Sequence, residues 1–499
     1  MKKNCDSLSR RSFLKGTGLL VSAVFSGGGC VGGNSLCKKT SRQTNVIIVL
    51  ADDLGWGDLG CYGSDFIETP NVDKLASEGM KFTENYAPAP VCSPTRAALL
   101  TGQYPARVGI LDYLRPEDGG LSRDYVTVAE MLKRNDYATG MIGKWHLTGY
   151  AYHGAKDEVR AVDHGFDEEL VTEIKGVGNG ANYYPYVFRD QEISWTSVTE
   201  KKLPSEEYLV DRMNFEAVNF IERHKDEPFF LYLSHFAPHT IVNGRKDLVE
   251  KYRKKHKPGK SGRENCYICQ DAGLEGDPLN HWAVDHNPHL AAMIENVDEG
   301  VGKIVQKLDE LRLAKDTIVI FTSDNGGESN ITTNAHLRKG KSSLYEGGIR
   351  VPLVVRWPSF VKADTVSDSF VNIMDFYPTI LDAVSINPDP KHKVDGISFL
   401  PVLKDPTVPG RDVMYWHYPL DKPHFLGGVS AGAIRKGKWK LIEFFVTGKV
   451  ELYDLEADEG EQNNLAAKHP EKVKELLDML AKWRSEVGAE VPKGQISSK

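Results

Sequence analysis

Two strongly apolar runs, residues 46–50 and 317–321, stand out along the chain. Short apolar runs without strict alternation predict strands of a parallel sheet that is covered on both faces. Residues 138–142, 229–233 and 351–355 predict further strands of the same kind. We therefore expect one large, mostly parallel sheet at the centre of the molecule.

Segments between these runs carry the periodicity of amphipathic helices. The predicted helices cover residues 71–78, 125–135, 208–224, 289–311, 375–384 and 471–487. Residues 433–445 and 450–453 predict antiparallel strands near the C-terminus. The pattern predicts an α/β fold, in which helices enclose a large mixed sheet and a smaller C-terminal α+β domain carries an antiparallel sheet.

Three segments depart from this regular pattern. Prolines cluster between residues 388 and 409, which predicts a boundary between a catalytic domain, 45–395, and a C-terminal subdomain, 396–499. Residues 150–202 are irregular and rich in aromatic side chains, which either stack on sugar rings or pack internally. Residues 245–260 are basic and polar, which predicts a solvated surface insertion.

The net charge of the chain excludes some classes of binding partner. The 499 residues carry a net charge of −7 without long blocks of one sign. This argues against nucleic acids and anionic membranes as partners. If the substrate is an anion, cations must be gathered locally.

The N-terminus predicts export from a bacterial cytoplasm. Arg10 and Arg11 precede a weakly apolar stretch, 16–25, that is too short to span a membrane. This pattern favours a twin-arginine signal over residues 1–30, handled by the twin-arginine export machinery, rather than a plain basic tail. Cys30 follows three glycines and is either a lipid-attachment site or an unmodified residue. Residues 31–44 predict a flexible leader, so the expected location is the periplasm, the outer membrane or the cell surface.

Seven cysteines form neither a disulfide framework nor a zinc pattern. Cys266 and Cys269 have the spacing of a metal knuckle, but no second pair accompanies them. A local disulfide or two free thiols is the expected state of this pair.

Residues 91–102 predict a helix that begins at a chemically unusual place. Ser93 is a good N-cap, Pro94 suits a first turn, and Gly102 can end the helix. Cys92 would then lie where free N–H groups favour an anion, with Arg96 adding a cation one turn later. The alternative is an ordinary buried cysteine beside a capped helix.

Acidic residues follow the two most apolar strands. Asp52 and Asp53 end the first, and Asp324 and Asn325 end the second. Polar residues at the carboxyl ends of parallel strands share one edge of the sheet. This oxygen set suits Ca²⁺ or Mg²⁺ and is a poor partner for a soft thiolate, so Cys92 would join it as something other than a thiol.

Four motifs together resemble the type I sulfatases, a family in which a cysteine is oxidised to Cα-formylglycine. They are Cys92-Ser-Pro-Thr-Arg96 with its continuation to Gly102, Gly143-Lys-Trp-His-Leu147, Ser323-Asp-Asn-Gly326, and the segment from Gly340 to Pro352. The resemblance covers residues 45–487 and implies an alkaline-phosphatase-like sandwich. The Glu346–Gly348 segment is similar to that of the galactosamine-6-sulfatases and arylsulfatase A within this family.

The resemblance also implies a role for each site residue. A calcium ion, with Mg²⁺ less expected, would be held by Asp52, Asp53, Asp324, Asn325 and the formylglycine made from Cys92. Arg96 would orient the formylglycine and His146 would contact it, while sulfate would be bound by Lys144, His239 and Lys341. A formylglycine-generating or sulfatase-maturing enzyme would be a partner.

The implied reaction is hydrolysis of a sulfate ester through a covalent sulfo-formylglycine intermediate. Export and the aromatic segment favour a sulfated carbohydrate, either a polysaccharide or a glycosaminoglycan fragment, as substrate. Two alternatives stay open: a phosphate or phosphonate ester hydrolase of the same superfamily, and a non-catalytic glycan-binding lipoprotein.

Overall fold

A computed structural model describes residues 43–149, 156–175, 180–187, 193–255, 286–334 and 336–492. The predicted signal at 1–30, the leader up to residue 42, Cys30 and the Cys266–Cys269 pair lie outside these ranges, so their predictions stay predictions. Within the described ranges, no helix combines the length and the apolar character that a membrane span requires.

The central sheet has eight strands and is mixed, as predicted. In spatial order it consists of β11 (Thr365–Ser367), β2 (Met80–Phe82), β10 (Leu353–Arg356), β9 (Thr317–Ser323), β1 (Asn45–Ala51), β8 (Phe229–Ser234), β4 (Ala138–Gly143) and β5 (Glu168–Leu170). β10 runs antiparallel to both of its neighbours, and the other adjacent pairs are parallel.

Register brings the carboxyl ends of four strands to one edge. Ala51 of β1 pairs with Ser323 of β9, and Ser234 of β8 lies opposite both Leu50 and Gly143. Residues that follow β1, β9, β8 and β4 therefore emerge side by side, which is where the candidate chemistry was expected.

Helices cover both faces of the sheet. Ile47 and Val49 of β1 face a core shared with α1 (Pro70–Ser77), α5 (Leu209–Arg223), α6 (Lys246–Lys255) and α7 (Pro288–Glu310). Val46 and Ile48 face the opposite core, shared with α2 (Cys92–Thr101), α4 (Val128–Lys133), α9 (Phe376–Ala383) and α10 (Leu400–Lys404). This two-sided burial explains why β1 lacks polar alternation.

The C-terminal antiparallel sheet is confirmed, with one correction to its strands. It consists of β13 (Val413–Tyr418), β14 (Ala431–Lys436), β15 (Trp439–Phe444) and β16 (Val450–Asp454), covered by α11 (Pro470–Val487). The prediction of a single strand over 433–445 is wrong, because the chain reverses at Gly437, whose φ is 52°. The predicted domain boundary at 395/396 stays a prediction.

Short elements complete the fold. They are β3 (Asn85–Tyr86), α3 (Pro105–Val108), β6 (Glu173–Lys175), β7 (Ser194–Trp195), α8 (Glu346–Ile349) and β12 (Val371–Asn372). Residues 246–255, predicted as a solvated insertion, instead form α6, because Leu248, Val249 and Tyr252 supply a buried face. In the aromatic segment, Tyr186 is buried and Trp195 packs edge-on between Tyr186 and Phe236, which is internal packing.

Candidate active site

Helix α2 places Cys92 at its first residue, in the interior of the protein. Val91 is the extended N-cap, Gly102 ends the helix at φ 67°, and every residue of the helix is buried. The prediction that Ser93 is the N-cap is wrong by two positions. Ser93 lies inside the first turn, where its Oγ accepts a hydrogen bond from the Leu114 N–H at 3.1 Å. The Cys92 side chain therefore lies at a buried helix N-terminus, which favours an anion.

The acidic residues after β1 and β9 meet as predicted. The Asp53 N–H donates to Asp324 Oδ1 at 3.1 Å, and Asn325 Nδ2 donates to Asp53 Oδ1 at 2.7 Å. Asp53 adopts φ 63°, a left-handed conformation that is uncommon for a non-glycine residue and is typical of tight functional turns. These contacts hold the two strand ends against each other.

This cluster fits a hard divalent cation. One oxygen each from Asp52 and Asp324 and the Cys92 sulfur lie within 4.8 Å of one another. Asn325 Oδ1 is buried and accepts no hydrogen bond from any described residue. A buried carbonyl oxygen without a partner is costly unless something coordinates it. Burial and the charge of Asp52 raise the pKa of Asp324, and a nearby cation would reverse that effect.

Arg96 joins four strand ends from the interior. Its Nη2 lies 2.6 Å from Asp324 Oδ2 and 3.3 Å from Asp52 Oδ1. Its Nη1 donates to the Lys144 carbonyl at 3.1 Å and to the Ser234 hydroxyl. The side chain is fully buried, so these bonds replace its hydration and fix the geometry around Cys92.

Two lysines add positive charge on the same side of the cluster. Lys144 Nζ lies 2.5 Å from Asp52 Oδ2, and Lys341 Nζ lies 2.7 Å from Asp53 Oδ2. Burial alone would lower the pKa of Lys341, but the negative charge of Asp53 holds it above its ordinary value. Both ammonium groups are therefore charged at neutral pH, and they are placed to bind an anion next to residue 92.

His239 is brought to Lys341, and its tautomer follows from its contacts. Lys341 Nζ donates to His239 Nε2 at 2.8 Å, while His239 Nδ1 contacts the Thr240 carbonyl oxygen. The proton of the ring therefore lies on Nδ1. Burial lowers the pKa of His239 to about 4, so the ring is neutral at pH 7.

His146 lies against Cys92, as the resemblance implied. Its Nδ1 is 3.2 Å from Cys92 Sγ. Its backbone has φ 48°, so a left-handed turn after β4 aims the ring at the helix. Burial and the charge of Lys144 hold the pKa of His146 well below its usual value, which keeps the ring able to accept a proton.

Glu173 of β6 is a residue that the sequence pattern did not reveal. Its carboxylate accepts the N–H groups of Trp145 and His146, each at 2.9 Å. Burial raises the pKa of Glu173 to about 7. A lone glutamate in an irregular segment gives no periodic signal, so only the structure shows that it holds the turn carrying His146.

Comparisons with known proteins find related families and related structures. The family model described as "Sulfatase" matches residues 44–386, and the model described as "N-sulphoglucosamine sulphohydrolase, C-terminal" matches residues 336–486. Human N-acetylgalactosamine-6-sulfatase is 32% identical over 396 residues, covering 75% of this chain and 68% of the relative. Human steryl-sulfatase is 30% identical over 459 residues, covering 76% and 73%.

Among solved structures, the chain is similar to Ps i-CgsB in complex with k-i-k-neocarrahexaose. The two share 28% sequence identity and superpose with a TM-score of 0.74 over 91% of this chain and 94% of that one. The similarity therefore extends over both the central sheet and the C-terminal sheet.

Proposed function

The chain belongs to the sulfatase family and is a sulfuric ester hydrolase, and we propose that its substrate is a sulfated carbohydrate, either a polysaccharide or a glycosaminoglycan fragment. The relatives' names include both an aminosugar sulfatase and a steryl sulfatase, so family membership alone leaves the alcohol open. Similarity to a structure holding a neocarrahexaose, over nine-tenths of the chain, supports the carbohydrate.

The observation that carries the proposal is the convergence on residue 92. The Cys92 sulfur lies among the oxygen ligands of a hard-cation set and contacts His146, while Lys144 and Lys341 pair with two carboxylates of that set. We propose that Cys92 is converted to formylglycine by a maturation enzyme that supplies the oxidant. A soft sulfur among hard oxygen ligands is a mismatch, which an aldehyde hydrate removes.

The oxygen set supports Ca²⁺ rather than Mg²⁺. Asp52, Asp53, Asp324 and Asn325 would hold it together with the oxygen of residue 92, and Ca²⁺ accepts such an all-protein set more readily than Mg²⁺, which keeps several waters. When bound, such an ion polarises sulfate oxygens and lowers the pKa of an adjacent hydroxyl.

Different side chains of the protein carry out the separate proton transfers. Lys144 and Lys341 hold the charge on the sulfate oxygens while a hydroxyl of hydrated residue 92 attacks sulfur. Lys341 is the protonated member of the Lys341–His239 pair, so it supplies the proton to the departing alcohol, directly or through His239. Neutral His146 accepts the proton of the second hydroxyl, which releases sulfate from the covalent intermediate and restores the aldehyde.

We further propose that the protein is exported in folded form by the twin-arginine machinery and acts in the periplasm or at the cell surface, whether or not Cys30 carries a lipid. The arginine pair and weakly apolar stretch support this. Because Cys92 is only 2% exposed, the maturation enzyme must act before α2 packs, hence before export.

Turnover of small esters tests the proposed reaction. Cys92→Ala is expected to lower kcat on an aryl sulfate by roughly 10³-fold or more, as loss of a nucleophile does, while leaving the fold intact. The control is Cys61→Ala, because Cys61 is the other described free cysteine and lies outside the site.

The same assay separates the alternatives. Faster hydrolysis of an aryl phosphate than of an aryl sulfate would identify a phosphate ester hydrolase instead. Tight binding of a sulfated glycan without any release of sulfate would identify a non-catalytic lectin. Retained turnover in Cys92→Ala would contradict the proposed role of residue 92.

A further inference from the structure

A cavity of about 460 Å³ lies between two surface segments, residues 112–117 and 419–425. Its volume is within the range of roughly 300–1,000 Å³ that is typical of small-molecule sites. Charged, polar and aromatic side chains line it. None of the site residues implied by the resemblance is among its lining residues.

Both walls of the cavity are fixed to the catalytic machinery. The first wall is tied by the Leu114 N–H, which donates to Ser93, the residue after Cys92. In the second wall, the His424 N–H donates to the Gly428 carbonyl at 2.8 Å, and Gly428 packs so closely on Ser342, the residue after Lys341, that an added Cβ would lie 1.9 Å from the Ser342 carbonyl oxygen. Both walls are therefore anchored to residues that neighbour Cys92 and Lys341 in the sequence.

Three aromatic side chains are assembled around the cavity. Phe425 stacks on His424 with ring centroids 4.4 Å apart, and Tyr113 meets the His424 ring edge-on at 5.6 Å. The Phe425 side chain is 73% exposed, the largest exposed fraction of any large hydrophobic residue in the described ranges. The stacked neighbour fixes the Phe425 ring in place, and the exposed face of the ring provides a flat apolar surface for a ligand.

His424 provides a directed hydrogen-bond donor beside this surface. The Leu426 N–H donates to His424 Nδ1 at 3.2 Å, so a neutral His424 carries its proton on Nε2. Burial, and then the positive charge of Lys341, lower the pKa of His424 to about 4, which keeps the ring neutral at pH 7.

From this arrangement we propose that the cavity holds the sugar ring that carries the reacting sulfate. Phe425 would stack on the apolar face of the ring, and His424 Nε2 would donate to a hydroxyl at its edge. A pyranose combines an apolar face with a polar edge, which matches this pairing of aromatic surface and donor. The inference rests on the proposed function, because it assumes a carbohydrate substrate.

A second cavity, with a volume of about 250 Å³, has Lys341 among its lining residues. Leu344, Val429 and Phe444 line part of it. Lacking an exposed aromatic platform beside a directed donor, this cavity is a weaker match to a pyranose ring. If it holds the ring instead, substitution at Phe425 will leave binding unchanged.

Calorimetric binding to the full chain tests the inference independently of turnover. The probes are chondroitin 6-sulfate disaccharide and sulfated neocarratetraose, titrated into the Cys92→Ala protein. Adding Phe425→Ala is expected to raise the Kd of the bound probe tenfold or more, while Phe425→Tyr, which keeps the ring, stays within threefold. The matched control is Phe215→Ala, which removes another partly exposed phenylalanine, on α5.

This binding experiment can fail without the proposed function failing, and the reverse also holds. The proposed sugar subsite is wrong if the Kd changes less than twofold in Phe425→Ala. It is also wrong if neither probe binds. Failure of the proposed function is read from a different measurement, the absence of sulfate release from any ester by the Cys92 protein. A protein that hydrolyses aryl sulfate but shows no Phe425 effect would keep the function and lose the subsite.

Discussion

At the scale of single residues, the buried carboxylate of Glu173 connects backbone geometry to the catalytic group. His146 adopts a left-handed conformation that is unfavourable by itself, and Glu173 holds it by accepting two consecutive N–H groups. Positioning of this kind is sensitive, since small displacements of a reacting group lower rates strongly.

Glu173→Gln is expected to lower kcat/KM roughly tenfold to a hundredfold while the protein stays folded, because the amide is uncharged and places an NH2 donor where Oε2 now accepts the Trp145 N–H at 3.1 Å. Steady-state kinetics on an aryl sulfate measures the loss. Glu169→Gln on β5 is the control, since Glu169 binds Arg160 and the Val162 N–H rather than a site residue. If the two substitutions lowered kcat/KM equally, Glu173 would have no special role in positioning His146.

Glu173 also affects how the free energy of unfolding depends on pH. The pKa of Glu173 is raised to about 7 in the folded state, above its ordinary value, because the carboxylate is buried. The folded state therefore binds more protons than the unfolded state between about pH 4.5 and 7, and this group's contribution to stability falls as pH rises through that window, by up to about 3 kcal/mol. Glu173→Gln should flatten that part of the stability profile.

At the scale of elements, the site depends on how closely the loop after β9 approaches α8. The Gly326 N–H donates to the Gly348 carbonyl at 3.1 Å, and a Cβ on Gly326 would lie 1.8 Å from the Gly347 carbonyl oxygen. No side chain fits between these two backbones. The glycines of the third and fourth motifs are therefore required by packing rather than by contact with substrate.

Gly326→Ala is expected to push Asn325 away from Asp53 and to weaken cation binding at least tenfold. Titration of Ca²⁺ into chelator-treated protein, followed by the shift in Tm, measures this directly. Gly119→Ala serves as the control, because an added Cβ there meets no atom within 4 Å. An unchanged calcium response in Gly326→Ala would contradict the packing argument.

An element can be predicted from the sequence when the interactions that form it join residues close together in the chain. β1 and β9 were predictable, together with the meeting of Asp52 and Asp324, because apolar runs and strand polarity are local signals. The Ser93 cap was mispredicted because tertiary contacts to Leu114 outweighed capping propensity. α6 was missed because its buried face, Leu248, Val249 and Tyr252, is sparse in a basic background. Glu173 and the Phe425 platform depend on long-range contacts that no local pattern encodes.

At the scale of the whole molecule, the C-terminal sheet is joined to the catalytic sheet by buried charge. Lys440 of β15 lies 2.7 Å from Glu346 and 2.9 Å from Glu461, and all three side chains are fully buried. Glu346 also accepts a hydrogen bond from the Tyr86 hydroxyl at 2.6 Å. Because Glu346 begins α8, this network connects the C-terminal strands to the segment that follows Lys341.

Lys440→Met is expected to lower the free energy of unfolding by about 3–5 kcal/mol, because it leaves two buried carboxylates without their shared cation. The loss should shrink as the pH falls and Glu461 becomes protonated, because burial raises the pKa of this carboxyl to about 7. Lys438→Met is the matched control: Lys438 pairs with Asp454 at 2.6 Å but its side chain is 42% exposed, so its loss should cost much less stability than the loss of Lys440. Thermal unfolding of the two variants separates them, and equal Tm values would contradict the network's role.

We propose that the whole reaction depends on residue 92 acting as an aldehyde. The most direct measurement is mass spectrometry of the peptide containing residue 92, made on the same preparations in which sulfate release is assayed. We expect this peptide to have the lower mass of a formylglycine, and specific activity to rise in proportion to its modified fraction. Full sulfatase activity in a preparation whose residue 92 is entirely unmodified cysteine would contradict it.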